Sequence, residues 1–435
     1  MADVNNPYPI IPWSLPRRVD RARGAYLHMN GRRILDAAGG AIVTNIGHGR
    51  AEVVRAMAEA TQREGYVIPP WLTPTRERLM DRLAADWLPA GFAHVHLTCG
   101  GSEGIETAMK VALQYHYACG RPEKSKIVGH SVSYHGTTLA TTAVGGHEAR
   151  RFGLAHALPE YPSSPTPDPL RCPGDDPESY YVDAFERTIE REGPGRIAAF
   201  IGEPIIGASG GAIVPPDTYW PAVRRICDEN DILLIADEVM TGFGRTGLAF
   251  GHQHWPVAPD IFVSGKGLTG GYAPLTGIFA TDDVVAPLAE EGMTVMFHTF
   301  AAHSGACAAA DKVLEIMTRE DLVARAARMG DELRKGLSAV LSNHPHVAEV
   351  RGRGLLIGVE IVQDRATLER YPRDAGVTAR VVNAALDRGV FFYGGGTGKV
   401  RDVIVLGPPF IIDGNDIDRM INALSDAIDE VTTAA

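Results

Sequence analysis

Nowhere does the chain hold a run of about 18 apolar residues, so no segment is expected to cross a bilayer. Basic tracts are missing too, and the formal net charge is -11, which argues against a nucleic-acid or anionic-membrane partner. Cysteine is scarce. Cys99, Cys119, Cys172, Cys227 and Cys307 stand singly, which offers neither a disulfide framework nor a Cys-x-x-Cys metal clip and suits a reducing compartment. No metal site is expected. The opening stretch MADVNNPYPIIPW has no basic start followed by an apolar run, so no signal peptide is read and a cytoplasmic location is the expectation. Internal repeats and long low-complexity segments are also absent.

What the chain has is length and pattern. Its 435 residues, 45% of them hydrophobic, are enough for two or three domains. From about residue 95 to 280, short apolar runs alternate with helical patterns: His94–Leu97, Lys126–His130, Ile197–Ile201, Ile232–Ala236 and Ile261–Ser264. Ile105, Ala108, Met109, Ala112 and Leu113 recur every three or four residues, as do Trp220, Val223 and Cys227, the spacing of one helical face. Such alternation predicts an α/β fold with a mostly parallel sheet covered on both faces. Before it, AYLHMNGRRILDAAGG reads as strand with a turn at Asn30-Gly31, followed by a helix near Glu52–Thr61. After it, helices over Ala308–Met317 and Glu320–Leu341, a strand in VRGRGLLIGVEIV and helices near Ala379–Asp387 and Ile417–Val431 suggest a smaller α+β unit. The expected division is an N-terminal segment (1–65) packing with the small domain, a large domain (66–310) and a C-terminal small domain (311–435). Tyr161 to Pro177, rich in Pro and Ser, reads as a surface loop.

Ligands of open α/β sheets bind outside the carboxyl ends of the strands, so the residues just past each run matter most. They are Gly100-Gly101-Ser102, Tyr134-His135-Gly136, Glu203-Pro204, Asp237-Glu238-Val239 and Gly265-Lys266-Gly267. Taken singly, each has a plain structural explanation. Ser102 suits a helix cap, Lys266 a solvated charge, the acids strand-end pairing, and His135 a hydrogen-bonding partner. Taken together, they are the set that pyridoxal phosphate uses: an amine for its aldehyde, a carboxylate for its ring nitrogen and backbone donors for its phosphate.

The strings LLIADEVMTGFGRTG and SGKGLTGGYAPL, with 28 residues between Asp237 and Lys266, resemble class III (omega) aminotransferases of pyridoxal-phosphate fold type I. NIGHGRAEVVRAM, CGGSEGIETAMKVAL, SYHG, IGEPIIGASG, HTFAAHSGACAAA and VRGRGLLIGVE extend the resemblance over nearly the whole chain. It implies that the large domain binds pyridoxal 5'-phosphate. Lys266 would be the imine-forming lysine and then the acid/base of a 1,3-proton shift. Asp237 would face the ring nitrogen with Glu203 in support, Gly101 and Ser102 would hold the phosphate, and Tyr134 and Val239 would cover the two ring faces, with His135 beside Tyr134. Thr299 would reach the phosphate of the other subunit, implying a homodimer with shared sites. The implied reaction moves an amino group between an amine or omega-amino acid and a small 2-keto acid such as pyruvate. Racemase/epimerase and decarboxylase chemistry share the same frame.

Two departures bear on the substrate. Val405 in VIVLGPPF stands where family members that clamp a carboxylate carry Arg, and Gly398 lies near the position of a mobile Arg, with Lys399 and Arg401 close by. Arg401 is therefore the candidate carboxylate clamp, while Trp13, Trp71 and Tyr134 are candidate walls of an apolar pocket. The usual His-Pro after the Thr is His303-Ser304 here. Other readings of the same residues are weaker. Gly100 to Gly104 fits the G-x-S-x-G elbow of serine hydrolases, with Asp237 and His298 or His303 in order, but no HGGG-type stretch precedes Ser102 and Lys266 would be idle. GGGTGKV fails as a nucleotide loop because Tyr393 and Val400 replace the first Gly and the Ser/Thr.

Overall fold

Five of the apolar runs become strands of one seven-stranded sheet in the computed structural model, which describes residues 17–433. Across the sheet the order is His94–Thr98, Thr276–Ala280, Ile261–Ser264, Leu233–Asp237, Ile197–Gly202, Lys126–His130 and Ser163–Ser164. Thr276–Ala280 runs antiparallel to both neighbours, and the other pairings are parallel. Because that one strand reverses, the carboxyl ends of the five strands first read from sequence all reach the same edge.

Helices cover this sheet. Gly101–Ala118 turns Ile105, Ala108, Met109 and Ala112 inward, and Tyr219–Glu229 buries Tyr219, Trp220, Val223, Ile226 and Cys227, both at helical spacing. Every residue of Ile197–Gly202 and Leu233–Asp237 is buried, as parallel strands sandwiched between helices require.

Two four-stranded sheets flank the centre. Arg21–Arg23, Tyr26–Met29 and Arg32–Asp36 form an antiparallel meander, to which Val390–Phe391 adds in parallel. Asn30 and Gly31 both have positive φ (50° and 75°), the left-handed pair that a two-residue hairpin turn needs. The other sheet runs Val347–Arg353, Leu356–Ile361, Val400–Leu406, Tyr393–Thr397, all antiparallel. VRGRGLLIGVEIV is thus a hairpin and not a single strand: its apolar run continues straight through the turn at Gly354-Leu355 and conceals it. GGGTGKV is the turn of another hairpin, with no helix after it. One apolar core joins the helices Ser304–Arg319, Leu322–Leu341 and Gly414–Thr433 to this sheet and reaches Phe243, Phe250 and Phe262 beside the central one.

The segment from Tyr161 to Pro177 is less superficial than its composition suggests. Ser163–Ser164 pairs with the sheet edge, and Ser164, Thr166 and Asp168 are buried.

Candidate active site

The shared sheet edge collects the chemistry. Asp237 ends its strand, Glu203 follows Gly202, and Lys266 follows Ser264 by one glycine. Gly101 and Ser102 open their helix, and Tyr134-His135 follow Lys126–His130. All of these, together with Val239, line one cavity of about 280 Å³. Val43, Ala208, Met240, Thr269, Ala273 and Leu275 are among its other walls. None of these six was singled out from sequence, because five are plain apolar residues and Thr269 is a lone threonine, and neither carries a chemical signature.

Asp237 is 4% exposed. Its Oδ1 accepts from Val239 N–H at 3.0 Å, and its Oδ2 lies 2.7 Å from His135 Nδ1. Burial disfavours a charge on His135, yet the bond to Asp237 and the nearby Glu203 outweigh it and hold the imidazole above its usual pKa. Glu203 accepts from Tyr134 N–H (3.0 Å) with one oxygen and from Gly207 N–H (2.8 Å) with the other. Burial pushes its carboxyl up to about 7, with His135 pulling down and Asp237 pushing up. Burial likewise lowers Lys266, against the pull of Asp237 and Glu203. Its backbone sits at φ 39°, a left-handed conformation that branched residues resist. Cys99 also lines the cavity, its thiol pushed up by burial and by Glu103. Cys227 and Cys307, both buried, are pushed up to about 12 by the same desolvation.

Pyridoxal phosphate fits this donor set. Gly100 caps the long helix in extended conformation without a side-chain bond, which leaves the first-turn N–H groups free for an anion. A Cβ at Gly101 would come 3.1 Å from Val239 Cγ1, and one at Gly136 (φ 147°) would come 2.6 Å from Ser102 Oγ, so the cradle is shaped by what these glycines leave out. Ser102 Oγ accepts from Thr137 N–H at 3.0 Å and keeps its own proton to donate. An acid sits at one side of the cavity, a buried amine at another and backbone donors at a third. The geometry gives Ser102 no histidine partner of the hydrolase kind: the imidazole at the site is bonded to Asp237.

Some candidates lie elsewhere. Thr299 is exposed, and its carbonyl accepts from Tyr66 Oη (2.9 Å). Trp71 is 69% exposed and does not line the cavity. Arg401 lies on the strand Val400–Leu406, where Nη2 donates to the Tyr371 carbonyl at 2.8 Å, and it lines a different cavity with Phe152 and Arg373. Trp13 lies outside the described residues. Conversely, the guanidinium of Arg150, not singled out from sequence, lies 4.8 Å from the centre of the Tyr134 ring.

Comparison with known proteins agrees with this geometry. The family profile described as aminotransferase class-III matches residues 12–428. The putrescine–pyruvate aminotransferase of Pseudomonas aeruginosa is 34% identical over 433 residues, covering 96% of this chain and 91% of that protein. The crystal structure of a thermostable (S)-enantioselective omega-transaminase from Thermomicrobium roseum superposes with a TM-score of 0.92 at 35% identity, covering 98% of this chain and 96% of that one. An amine transaminase from an uncultivated Pseudomonas species, solved in its PLP-bound form, gives 0.91 at 34% identity and covers 98% of both chains. The chain belongs to the class-III aminotransferases and is a pyridoxal-phosphate-dependent transaminase.

Proposed function

We propose that the enzyme moves an amino group from an amine or omega-amino acid to a small 2-keto acid such as pyruvate. The observation that carries this reading is the meeting of a buried lysine, a buried carboxylate–imidazole pair and an open helix N-terminus around one cavity whose remaining walls are mostly apolar. Bound there, pyridoxal phosphate supplies a carbonyl carbon that takes up amines and a protonated ring that draws electrons from the carbon bearing the nitrogen. Asp237 holds a proton at the ring nitrogen, and His135 fixes that carboxylate's orientation. Glu203 positions Tyr134 through its backbone N–H. Lys266 Nζ, its pKa lowered by burial, would take the proton from the substrate carbon and give it back one step along. Gly101 and Ser102 anchor the phosphate, while Tyr134 and Val239 close the two ring faces. Apolar walls suit an uncharged amine. The relatives agree in part: one transfers between putrescine and pyruvate, and another, from Halomonas elongata, between diaminobutyrate and 2-oxoglutarate.

Thr299, exposed in one chain beside exposed Tyr66 and Phe300, supports a symmetric homodimer in which that threonine completes the neighbour's phosphate site. Sedimentation of fully active protein at the mass of one chain would overturn that arrangement. The catalytic reading is tested by the visible spectrum. Purified enzyme should show a band near the blue edge of the visible that borohydride removes, and pyruvate with a panel of amines should turn over. Lys266→Ala should retain cofactor without that band and be inactive. A colourless protein that a fluorophosphonate labels at Ser102 would refute the reading.

A further inference from the structure

A 2-keto acid brings a carboxylate into a cavity whose own charged groups, Asp237, Glu203 and Lys266, already answer to one another. A second cation is needed, and the strand-borne Arg401 is tied to the Tyr371 carbonyl and lines a different cavity. Arg150 differs. It lies in the turn Glu148–Arg151, exposed and outside the cavity's own lining, but with its guanidinium carbon 4.8 Å from the centre of the Tyr134 ring, and Tyr134 lines the cavity. Its neighbour Arg151 is tied through Nη1 to the carbonyls of Ala143 (3.0 Å) and Gly145 (2.9 Å). Arg150, among the described residues, pairs with no carboxylate. A guanidinium stacked on an aromatic ring keeps its N–H edge free for an in-plane, two-point grip on a carboxylate.

The turn is also held in place. Glu148 N–H donates to Thr397 Oγ1 (3.1 Å), at the tip of the hairpin Tyr393–Thr397 and Val400–Leu406. On its other side that hairpin is bound through Gly396 N–H to the carbonyl of Ala208 (2.7 Å), a cavity-lining residue. The cavity wall, the hairpin tip and the arginine-bearing turn are therefore one connected assembly.

We propose that Arg150 is the specificity-determining residue that grips the carboxylate of the 2-keto acid, using the Tyr134 ring as its platform. This rests on the amino-transfer reading above. Its side chain is solvent-exposed and makes no hydrogen bond or ion pair among the described residues, so it can swing away when an uncharged amine occupies the same space, letting one pocket serve both half-reactions.

The test compares two acceptors of equal length in the holoenzyme: pyruvate, which has a carboxylate, and propanal, which has none. Arg150→Ala should lower kcat/KM for pyruvate about thirty-fold or more, chiefly through KM, and leave propanal within about three-fold. Arg150→Lys should recover part of the loss, since charge survives but the planar fork does not. Binding of unreactive propanoate, followed by broadening of its methyl NMR signal, should be weakened in Arg150→Ala to the same degree. An unchanged pyruvate value, an equal loss for both acceptors, or loss of propanoate binding in Arg401→Ala alone would overturn the assignment. If wild-type enzyme turns over propanal but no 2-keto acid, the acceptor reading fails instead, and propanoate binding still decides Arg150 by itself.

Discussion

At the scale of single residues, Asp237 is the position where a change of one atom should matter most. Asn in its place keeps the shape and the bond to Val239 N–H, but it has no charge with which to hold a ring nitrogen protonated or to hold the His135 imidazole above its usual pKa. Asp237→Asn should fold, with an unchanged far-ultraviolet dichroism spectrum, and lose about a hundred-fold or more in kcat, equivalent to about 3 kcal/mol of barrier. Near-normal turnover would remove Asp237 from the role proposed for it. Glu203 illustrates why burial alone does not set charge. Its two oxygens each take a backbone N–H, which favours the ionised form, yet desolvation still wins and leaves it near neutrality at about 7.

Among the elements, the turn after Lys126–His130 shapes the cradle as much as the helix does. Gly136 is at φ 147° with room for no Cβ, the nearest obstacles being Ser102 Oγ and Thr141 Oγ1, both at 2.6 Å. Gly136→Ala should therefore displace Ser102 and weaken cofactor retention about ten-fold or more, measured by dialysis against a competing amine, with the apolar core untouched; retention equal to wild type would show that Ser102 bears no load there. The same segment marks what sequence can tell. Strand ends carrying Asp237, Glu203 and Lys266 were legible because an apolar run stops abruptly at a Gly or an acid. The strand Tyr393–Thr397 was not, since YGGGT has almost no side chains to alternate and takes its register from Val400–Leu406. Nor could sequence separate Arg150 from Arg151: the two differ only in what the fold places beside them, an aromatic face for one and helix-end carbonyls for the other. Composition misled at Tyr161 to Pro177, where Pro and Ser marked a surface loop but Ser163–Ser164 pairs with the sheet edge and Asp168 is buried beside Arg351 and Arg171.

Across the whole molecule, a buried ionic cluster joins the central sheet to the C-terminal one. Arg351 donates to Glu360 (2.7 Å) and to the carbonyls of Gly210 and Gly211, Arg171 donates to the other oxygen of Glu360 (2.8 Å), and Asp168 lies close by, 5% exposed with both carboxylate oxygens unbonded. Burial pushes Asp168 up to about 6 from its ordinary 3.8, against the pull of Arg351. Between those two values the folded chain holds a proton that the unfolded chain releases, so stability falls as pH rises through that window. Above it the cost is fully present, about 2–3 kcal/mol for a group this deeply buried. Asp168→Asn should therefore raise Tm at pH 7 and make little difference at pH 4, measured by calorimetry of the same holoenzyme; an equal gain at both would disprove the linkage. The distribution of thiols has a further consequence. Cys99 within the cavity and Cys227 and Cys307 in the core are all held in the protonated form, and a protonated thiol neither alkylates nor oxidises readily. An enzyme that works beside reactive carbonyl compounds thereby carries no sulfur nucleophile at these positions to trap them.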